Sequence, residues 1–302
     1  MGPKWKGYPE LTSVTSNKGT ARVDGIPNHY YNRSGQITVW NIYRLFLMFG
    51  IRVVYTREFD LLKAAIKKAF FTLVTDLTIF KECYDYINIS MPSSLKFDIE
   101  IINCGRSSIV IKKIITDEKS STELARIMIK FIVFDLEIGK STPLPDWFIN
   151  KYKRNASQDL DIDDVTLHGI PTNTYKMDMT VRSSDLDENN HTGTADYVSF
   201  CCDCATMAMR EKYYDGFCGN FVDYVIERVN SLHKEQSFLG DILLVQTWQE
   251  KDLTSKLHFV ILKKNNIQHE NIFFLEYSFL KYPKEIKNMK LVDFSLIFKS
   301  YY

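Results

Sequence analysis

The sequence lacks an excess of either charge. Its 302 residues include 38 Lys and Arg against 37 Asp and Glu, so the formal net charge is +1. Proteins that bind nucleic acid electrostatically need a basic surface that displaces counterions from phosphates. We therefore predict no nucleic-acid partner, while a small-molecule or protein partner with one phosphorylated arm is compatible with this balance.

Long uninterrupted apolar runs are also missing. The longest apolar stretch, from Trp40 to Tyr55, is broken by Asn41, Arg44 and Arg52, so it is too short and too polar to span a bilayer. The first residues contain no apolar core of signal-peptide length. We therefore expect no membrane span and a cytoplasmic protein, with an organelle matrix as the alternative location.

Cysteines are few, and their spacing contains no pair of CxxC motifs. Without a secretory signal, the six thiols are expected to be reduced. Cys201 and Cys204 share one face of a predicted helix, which is typical of core packing. No set of four metal ligands accompanies them, and nothing in the sequence implies a metal or redox cofactor. A Cys218–His191 nucleophile is a minor alternative.

The two halves of the sequence contain the same order of predicted elements, a helix followed by several strands. Apolar spacing in the first half predicts helices over Gln36–Phe49 and Glu58–Ala69 and strands over Phe71–Phe80, Lys96–Asn103, Ser108–Thr116 and Ala125–Leu136. The second half predicts a strand over Thr174–Arg182, a helix over Thr194–Tyr214, and strands over Phe221–Leu232, Asp241–Gln249, Lys256–Leu262 and Ile272–Leu280.

One helix followed by consecutive strands differs from the β-α-β alternation of a parallel sheet. It predicts an α+β fold in which an antiparallel sheet carries its helix on one face. The segment between the halves has little apolar content and several acidic residues, as is typical of a linker. We therefore predict an N-terminal domain over residues 1–152, a linker over 153–172 and a C-terminal domain over 173–302.

A motif at the start of the second half carries a family resemblance. The segment Val181–His191 reads V-R-x-S-D-L-D-x-N-x-H, and Tyr197 follows six residues after the histidine. This pattern resembles the signature of acyl-ACP thioesterases and related hotdog acyl-CoA thioesterases. The resemblance implies two tandem hotdog domains, each an antiparallel sheet wrapped around a long central helix. It covers most of the chain but is strongest over residues 174–250.

The resemblance also implies the site residues. Asp187, Asn189 and His191 match the catalytic Asp, Asn and His of the family, and Glu235, in a segment that ends in Gly-Asp, matches its acidic catalytic position. The reaction implied is hydrolysis of a fatty acyl thioester, carried by acyl carrier protein or coenzyme A, within fatty acid biosynthesis or lipid metabolism. The assembly state is left open between monomer and homodimer.

The residues after the histidine depart from the family pattern. The family has a hydrophobic residue and two Asn here, whereas this chain has Thr192, Gly193 and Thr194. Gly193 would let a thioester approach the start of the helix closely. We expect Gly193, Thr194 and Tyr197 to contact the substrate, with Tyr197 acting as a packing aromatic or pocket wall.

The first half has a corresponding turn without chemistry. The register places Asn32 at the position of the aspartate and Gln36 at that of the histidine. Neither a carboxylate nor an imidazole remains there, so this half is expected to be non-catalytic and to shape the acyl pocket, as the resemblance implies.

Several alternatives stay open at this point. Either Glu235 or Asp187 could activate water, or a carboxylate could attack directly, while His191 orients or protonates and Asn189 holds the carbonyl or the water. Asp and Asn before a helix also serve as simple turn formers and caps. A hotdog dehydratase or hydratase and a non-catalytic acyl-binding module are the competing functions. The lysines at 281, 284, 287 and 290 form either a solvated face or a dock for an acidic carrier or coenzyme A phosphates.

Overall fold

The fold was analysed in a computed structural model, which describes residues 9–64, 68–87, 94–135, 137–153, 169–187, 189–250, 255–264 and 269–279. The first half contains β1 (Glu10–Val14), β2 (Lys18–Asp24), α1 (Val39–Val54), α2 (Asp60–Ala64), β3 (Lys68–Ile79), α3 (Lys81–Tyr86), β4 (Ser94–Cys104), β5 (Ser108–Asp117), β6 (Glu123–Asp135), β7 (Lys140–Ser141) and α4 (Asp146–Tyr152). The second half contains β8 (Tyr175–Thr180), α5 (Thr194–Arg210), β9 (Ile226–His233), β10 (Ile242–Gln249), β11 (Lys256–Lys264) and β12 (His269–Phe279).

All the described strands belong to one antiparallel sheet. Its order is β1-β2-β4-β5-β6-β3-β9-β12-β11-β10-β8, with β7 paired to the edge of β6. The order β2-β4-β5-β6-β3 in the first half is repeated as β8-β10-β11-β12-β9 in the second. The two repeats meet where β3 pairs with β9. The predicted α+β class is therefore confirmed.

The two long helices lie on the concave side of this sheet and contact each other. The buried residues of α1 include Ile42, Leu45, Phe46, Phe49 and Val53, which recur at helical spacing and form one apolar face. This face and that of α5 pack against the inward residues of the strands to form one continuous core. None of the described helices is long and apolar enough to cross a membrane.

Most predicted elements are present, with shifted ends. The first predicted helix begins at Val39 rather than Gln36, because Ile37 forms a β-bridge with Tyr31 and holds the preceding residues extended. The helix predicted over Glu58–Ala69 is wrong beyond Ala64, since residues 68 and 69 already pair with β6.

The sequence did not predict five of these elements, namely β1, β2, α3, β7 and α4. Most of the predicted linker, residues 154–168, lies outside the described residues, as does the lysine series from 281 to 290. The predicted domain limits at 152/153 and 172/173 stay a prediction.

Candidate active site

The candidate site is built on a closed turn between β8 and α5. Leu186 forms a β-bridge with Thr192, and the Asp187 N–H donates to the His191 carbonyl at 2.9 Å. The Asp187 Oδ1 atom accepts the backbone N–H of Asn189 at 2.8 Å and that of His191 at 3.4 Å. One oxygen of the Asp187 carboxylate therefore holds the turn together.

The other oxygen of Asp187 faces the imidazole. Asp187 Oδ2 lies 3.2 Å from His191 Nδ1, and both side chains are half-buried. The two atoms are within ion-pair distance, but the geometry is not that of a hydrogen bond. In the described part of the chain, the buried Nδ1 atom has no hydrogen-bond partner. The pair therefore needs only a small reorientation to become a bonded carboxylate–imidazole pair.

The first part of the motif is structural. Arg182 donates to the buried carboxylate of Asp185 through its backbone N–H, its Nε atom and its Nη2 atom, at 2.8, 3.1 and 3.0 Å. These bonds hold the 3₁₀ turn that precedes Asp187. The motif thus divides into an Arg–Asp clamp and a turn that presents the reactive groups.

The turn ends at the N-terminus of α5. Gly193 is the N-cap residue, and no side chain in the described part of the chain caps the helix. The first amides of a helix have no acceptor within it and carry a partial positive charge. Because Gly193, Thr194 and Ala195 line the cavity described below, these amides are placed next to it.

The departure from the family pattern at Thr192 has a structural reason. The Thr192 hydroxyl lies 2.7 Å from Ser237 Oγ, and its N–H donates to the Ser237 carbonyl at 2.9 Å. The Tyr197 hydroxyl accepts the Ser237 N–H at 3.0 Å and lies 2.8 Å from Ser237 Oγ. Thr192 and Tyr197 therefore fasten the loop after β9 to the start of α5, and this loop carries Glu235.

Glu235 approaches the site from that loop. Its N–H donates to the Ile272 carbonyl at 3.3 Å, and its side chain is exposed. Within the described chain its carboxylate has no hydrogen bond or ion pair. It lines the same cavity as Asp187, Asn189 and His191, so the structure brings together all four residues assigned to catalysis by the resemblance.

The cavity has a volume of about 640 Å³ and is shared by both halves. The second half supplies the polar end. The first half supplies walls from α1, β3, β5 and β6, including Phe46, Phe70, Ile127, Ile129 and Phe131. The predicted substrate contacts Gly193, Thr194 and Tyr197 all line it. The Tyr197 ring is buried and stacks on Phe273 at a centroid distance of 4.9 Å.

The polar residues of the cavity wall that sequence reasoning missed include Tyr43, Lys113, Asp196 and His233. Asp196, in the first turn of α5, pairs with Arg44 of α1 at 2.8 Å. Burial raises the pKa of Asp196, and the Arg44 charge opposes this rise. A carboxylate three residues after Gly193 was the one available signal, but no pattern linked it to an arginine in the other half.

His233, which no sequence motif singles out, is a buried residue of the cavity wall. Burial lowers its pKa to about 3, and the nearby His191 adds to this lowering. Its Nε2 atom lies 3.4 Å from Ser231 Oγ. His233 is therefore a neutral imidazole in the folded protein at physiological pH.

The turn in the first half repeats the geometry of the active turn. Asn32 Oδ1 accepts the N–H groups of Ser34 at 2.8 Å and Gln36 at 3.0 Å, and the Asn32 N–H donates to the Gln36 carbonyl. Gly35 has a positive φ of 75°, as Asn190 has 62° in the active turn. This agrees with the predicted register, in which Asn32 replaces the aspartate and Gln36 the histidine.

The cysteine alternative receives no support from the geometry. Cys201 and Cys204 are buried in the core, as predicted. Cys218 is exposed, its N–H donates to the Tyr224 hydroxyl, and it is not among the residues that line the cavity.

No protein-family model matches the chain, and no curated protein matches it by sequence. Solved structures do match. A 12:0-ACP thioesterase from Umbellularia californica is 12% identical with a TM-score of 0.64, over 86% of this chain and 96% of that one. An acyl-ACP thioesterase from Bacteroides thetaiotaomicron is 14% identical with a TM-score of 0.66, over 87% and 97%. A proposed oleoyl thioesterase from Lactobacillus plantarum is 11% identical with a TM-score of 0.65, over 88% and 98%. The chain therefore has the double-hotdog fold of these structures, which confirms the predicted fold.

Proposed function

We propose that this protein is an acyl thioesterase that hydrolyses a fatty acyl thioester of acyl carrier protein or coenzyme A to the free acid and the thiol. One observation carries the proposal. Asp187, His191 and Glu235 line one cavity beside the N-terminus of α5, and its wall in the first half includes apolar side chains such as Phe46 and Ile127. The solved structures that share the fold include acyl-ACP thioesterases, which supports the same class of reaction.

Glu235 is assigned as the base that activates water. Asp187 already uses one oxygen to hold its turn and directs the other toward His191. The exposed Glu235 carboxylate has no partner in the described chain and is reached by solvent. It takes a proton from water, and the resulting hydroxide attacks the thioester carbonyl carbon. Direct attack by a carboxylate, through an anhydride, is the competing route.

The start of α5 is assigned to the developing negative charge. Attack converts the carbonyl oxygen into an oxyanion, which the uncapped amides at Thr194 and Ala195 stabilise. Collapse of the tetrahedral intermediate breaks the carbon–sulfur bond. The leaving thiolate takes a proton from His191, whose imidazole is oriented by Asp187. Asn189, exposed at the cavity edge, is assigned to hold the carbonyl or the water.

The test is turnover of acyl-CoA and acyl-ACP substrates of graded chain length. Product should be measured as free acid by mass spectrometry, because the exposed Cys218 would react with thiol reagents. Glu235→Gln and His191→Gln should each lower kcat/KM by about 100-fold or more. Glu227→Gln is the matched control, since Glu227 is an exposed glutamate on β9 that does not line this cavity.

The same experiment separates the competing functions. A hydratase would add water to an enoyl thioester and leave the thioester bond intact, so its product would retain the carrier. An acyl-binding module would bind the substrate without releasing acid. If Glu235→Gln, His191→Gln and Asp187→Asn all kept wild-type turnover, the proposed site would be wrong.

A further inference from the structure

A lysine lies buried in the wall of the acyl cavity. Lys113, on β5, is 7% exposed and lines the cavity. Its Nζ atom donates to the Phe46 carbonyl at 3.2 Å. An ammonium group has three donors, and Phe46 lies in the middle of α1, where carbonyls already accept the bonds of the helix. Within the described part of the chain Lys113 has no carboxylate partner.

The helix opposite leaves room for this ammonium group. Gly50 of α1 packs directly over it, and a Cβ at Gly50 would collide with Lys113 Nζ. The absence of a side chain at Gly50 lets the Lys113 ammonium lie directly against α1.

Lys113 lies at the end of the cavity away from the reactive groups. His233, next to the catalytic turn, is on β9, and the strands then follow in the order β9, β3, β6 and β5. Adjacent strands are about 4.8 Å apart, so three steps across the sheet give a lateral separation of roughly 14 Å. The register places Lys113 a further three to four residues along the strands from the level of His233. An acyl chain with its thioester at His191 would thus extend across Thr75 and Ile127 toward Lys113.

A buried charge of this kind is costly unless it is neutralised. Burial lowers the pKa of Lys113 to about 8, and no charged neighbour contributes to the shift. The group is therefore still mainly protonated at neutral pH, although it is buried in the cavity wall. A ligand carboxylate would supply the missing opposite charge, whereas a methyl end would leave the ammonium uncompensated.

We propose that Lys113 determines substrate specificity by binding a carboxylate at the far end of the acyl chain, so that the preferred substrate is an ω-carboxyacyl thioester. This inference rests on the proposed function for the identity of the thioester end. The first half of the molecule would then act as a recognition site for a polar chain end, with the ammonium of Lys113 in the cavity wall forming the site.

The test has a binding arm that does not depend on turnover. Dicarboxylic acids and monocarboxylic acids of equal, graded chain length are titrated into the full chain by calorimetry. The wild-type protein should bind the best diacid at least tenfold more tightly than its monoacid partner. In Lys113→Met this preference should be lost or reversed. Lys112→Met is the matched control, because Lys112 is the neighbouring residue on the opposite face of β5 and is 35% exposed.

A hydrolysis arm compares kcat/KM for ω-carboxyacyl-CoA and acyl-CoA of equal length, with the same expected change of preference in Lys113→Met. The Met variant should fold, since replacing a buried charge by an apolar side chain of similar volume is often neutral or stabilising. If the wild-type chain binds monoacids as tightly as diacids, the inference is overturned even where thioesters are hydrolysed. If no thioester is hydrolysed but the diacid preference depends on Lys113, the proposed function fails and the binding site stands. If Lys113→Met changes only the preferred chain length, Lys113 merely limits the depth of the cavity, and the inference is also overturned.

Discussion

At the scale of single residues, the turns at Asn32–Gln36 and Asp187–His191 share a backbone structure but differ in the groups that their side chains contact. Asp187 and Asn32 both use Oδ1 to accept two backbone N–H groups of their own turn. Their second side-chain atoms differ, because Asp187 Oδ2 faces His191 while Asn32 Nδ2 donates to the Val222 carbonyl at 3.1 Å. In both turns the Oδ1 atom holds the backbone, and only in the second half does the other side-chain atom face a histidine.

This comparison predicts the outcome of Asp187→Asn. The turn should be kept, since asparagine already forms it in the first half, and the melting temperature should change little. The second atom becomes an N–H donor that cannot orient the imidazole, so kcat/KM should fall by about 100-fold or more. Steady-state kinetics and thermal unfolding check the two parts. Asp178→Asn, which alters a surface ion pair with Lys264, should leave turnover unchanged, and a large loss of stability in Asp187→Asn would contradict the prediction.

Because His233 is buried, we predict that the protein loses stability at acid pH. Its pKa falls from an ordinary value of 6.5 to about 3 in the folded state because of burial, so below pH 6.5 the unfolded chain binds a proton that the folded chain does not. Stability should therefore decrease as the pH falls from 6.5 toward 3. Urea unfolding over this range should show a shallower decrease for His233→Gln. If stability decreases as steeply in His233→Gln as in the wild type, other groups cause the loss of stability at acid pH.

At the residue scale, the sequence predicted residues of the cavity wall where a local motif existed. Asp187, Asn189 and His191 lie within five residues, and one strand later Glu235 is carried by a second recognisable segment. Lys113, Asp196 and His233 were missed because their roles depend on contacts across long sequence distances, such as that between Lys113 and Phe46.

At the scale of elements, the helices were predicted better than the edges of the sheet. The α5 helix begins at Thr194, as expected, because apolar spacing and the preceding turn fix its start. The helical pattern over Glu58–Ala69 failed since pairing of β3 with β6 outweighed local helix propensity at its end. The short strand β2 buries only alternate residues, a weak signal next to the amphipathic helices.

The contact between α1 and α5 depends on the Arg44–Asp196 pair. Burial raises the pKa of Asp196 in the folded state, and Arg44 limits this rise. Between the ordinary pKa of 3.8 and the raised pKa, the folded state binds more protons than the unfolded state. The free energy of unfolding therefore falls as the pH rises through this interval. In Arg44→Met the interval should extend to higher pH. The coupling of Arg44→Met with Asp196→Asn should be about 1 kcal/mol, because Arg44 is 36% exposed and solvent screens the pair.

This coupling is measured by a double-mutant cycle of urea unfolding at about pH 4 and about pH 7. The expected result is that Arg44→Met loses stability mainly at the higher pH and that Asp196→Asn removes the difference. Equal losses at both values would show that Arg44 acts through packing of its side-chain stem rather than through its charge.

At the scale of the whole molecule, the two halves are joined by the sheet as well as by the helices. The Thr75 hydroxyl on β3 lies 2.7 Å from that of Ser231 on β9, both buried, and Arg228 binds Asp76 through two bonds on the outer face. The cavity takes walls from both halves. A local motif predicted the cavity residues at the start of α5, whereas the wall that the first half contributes has no local sequence signal and could not be predicted.

This continuity predicts that the halves unfold together. Among the described tryptophans, Trp40 and Trp147 belong to the first half, and Trp248 stacks on His258 in the second at a centroid distance of 5.5 Å. A variant that keeps Trp248 as its sole tryptophan and a variant that lacks Trp248 should therefore give coincident fluorescence transitions in urea, matching circular dichroism. The core shared through β3, β9 and the two long helices leaves neither half with a separate apolar interior. Two separated midpoints would show instead that each half is an independent folding unit, in which case the cavity and the activity would be lost at the lower midpoint, when the less stable half unfolds.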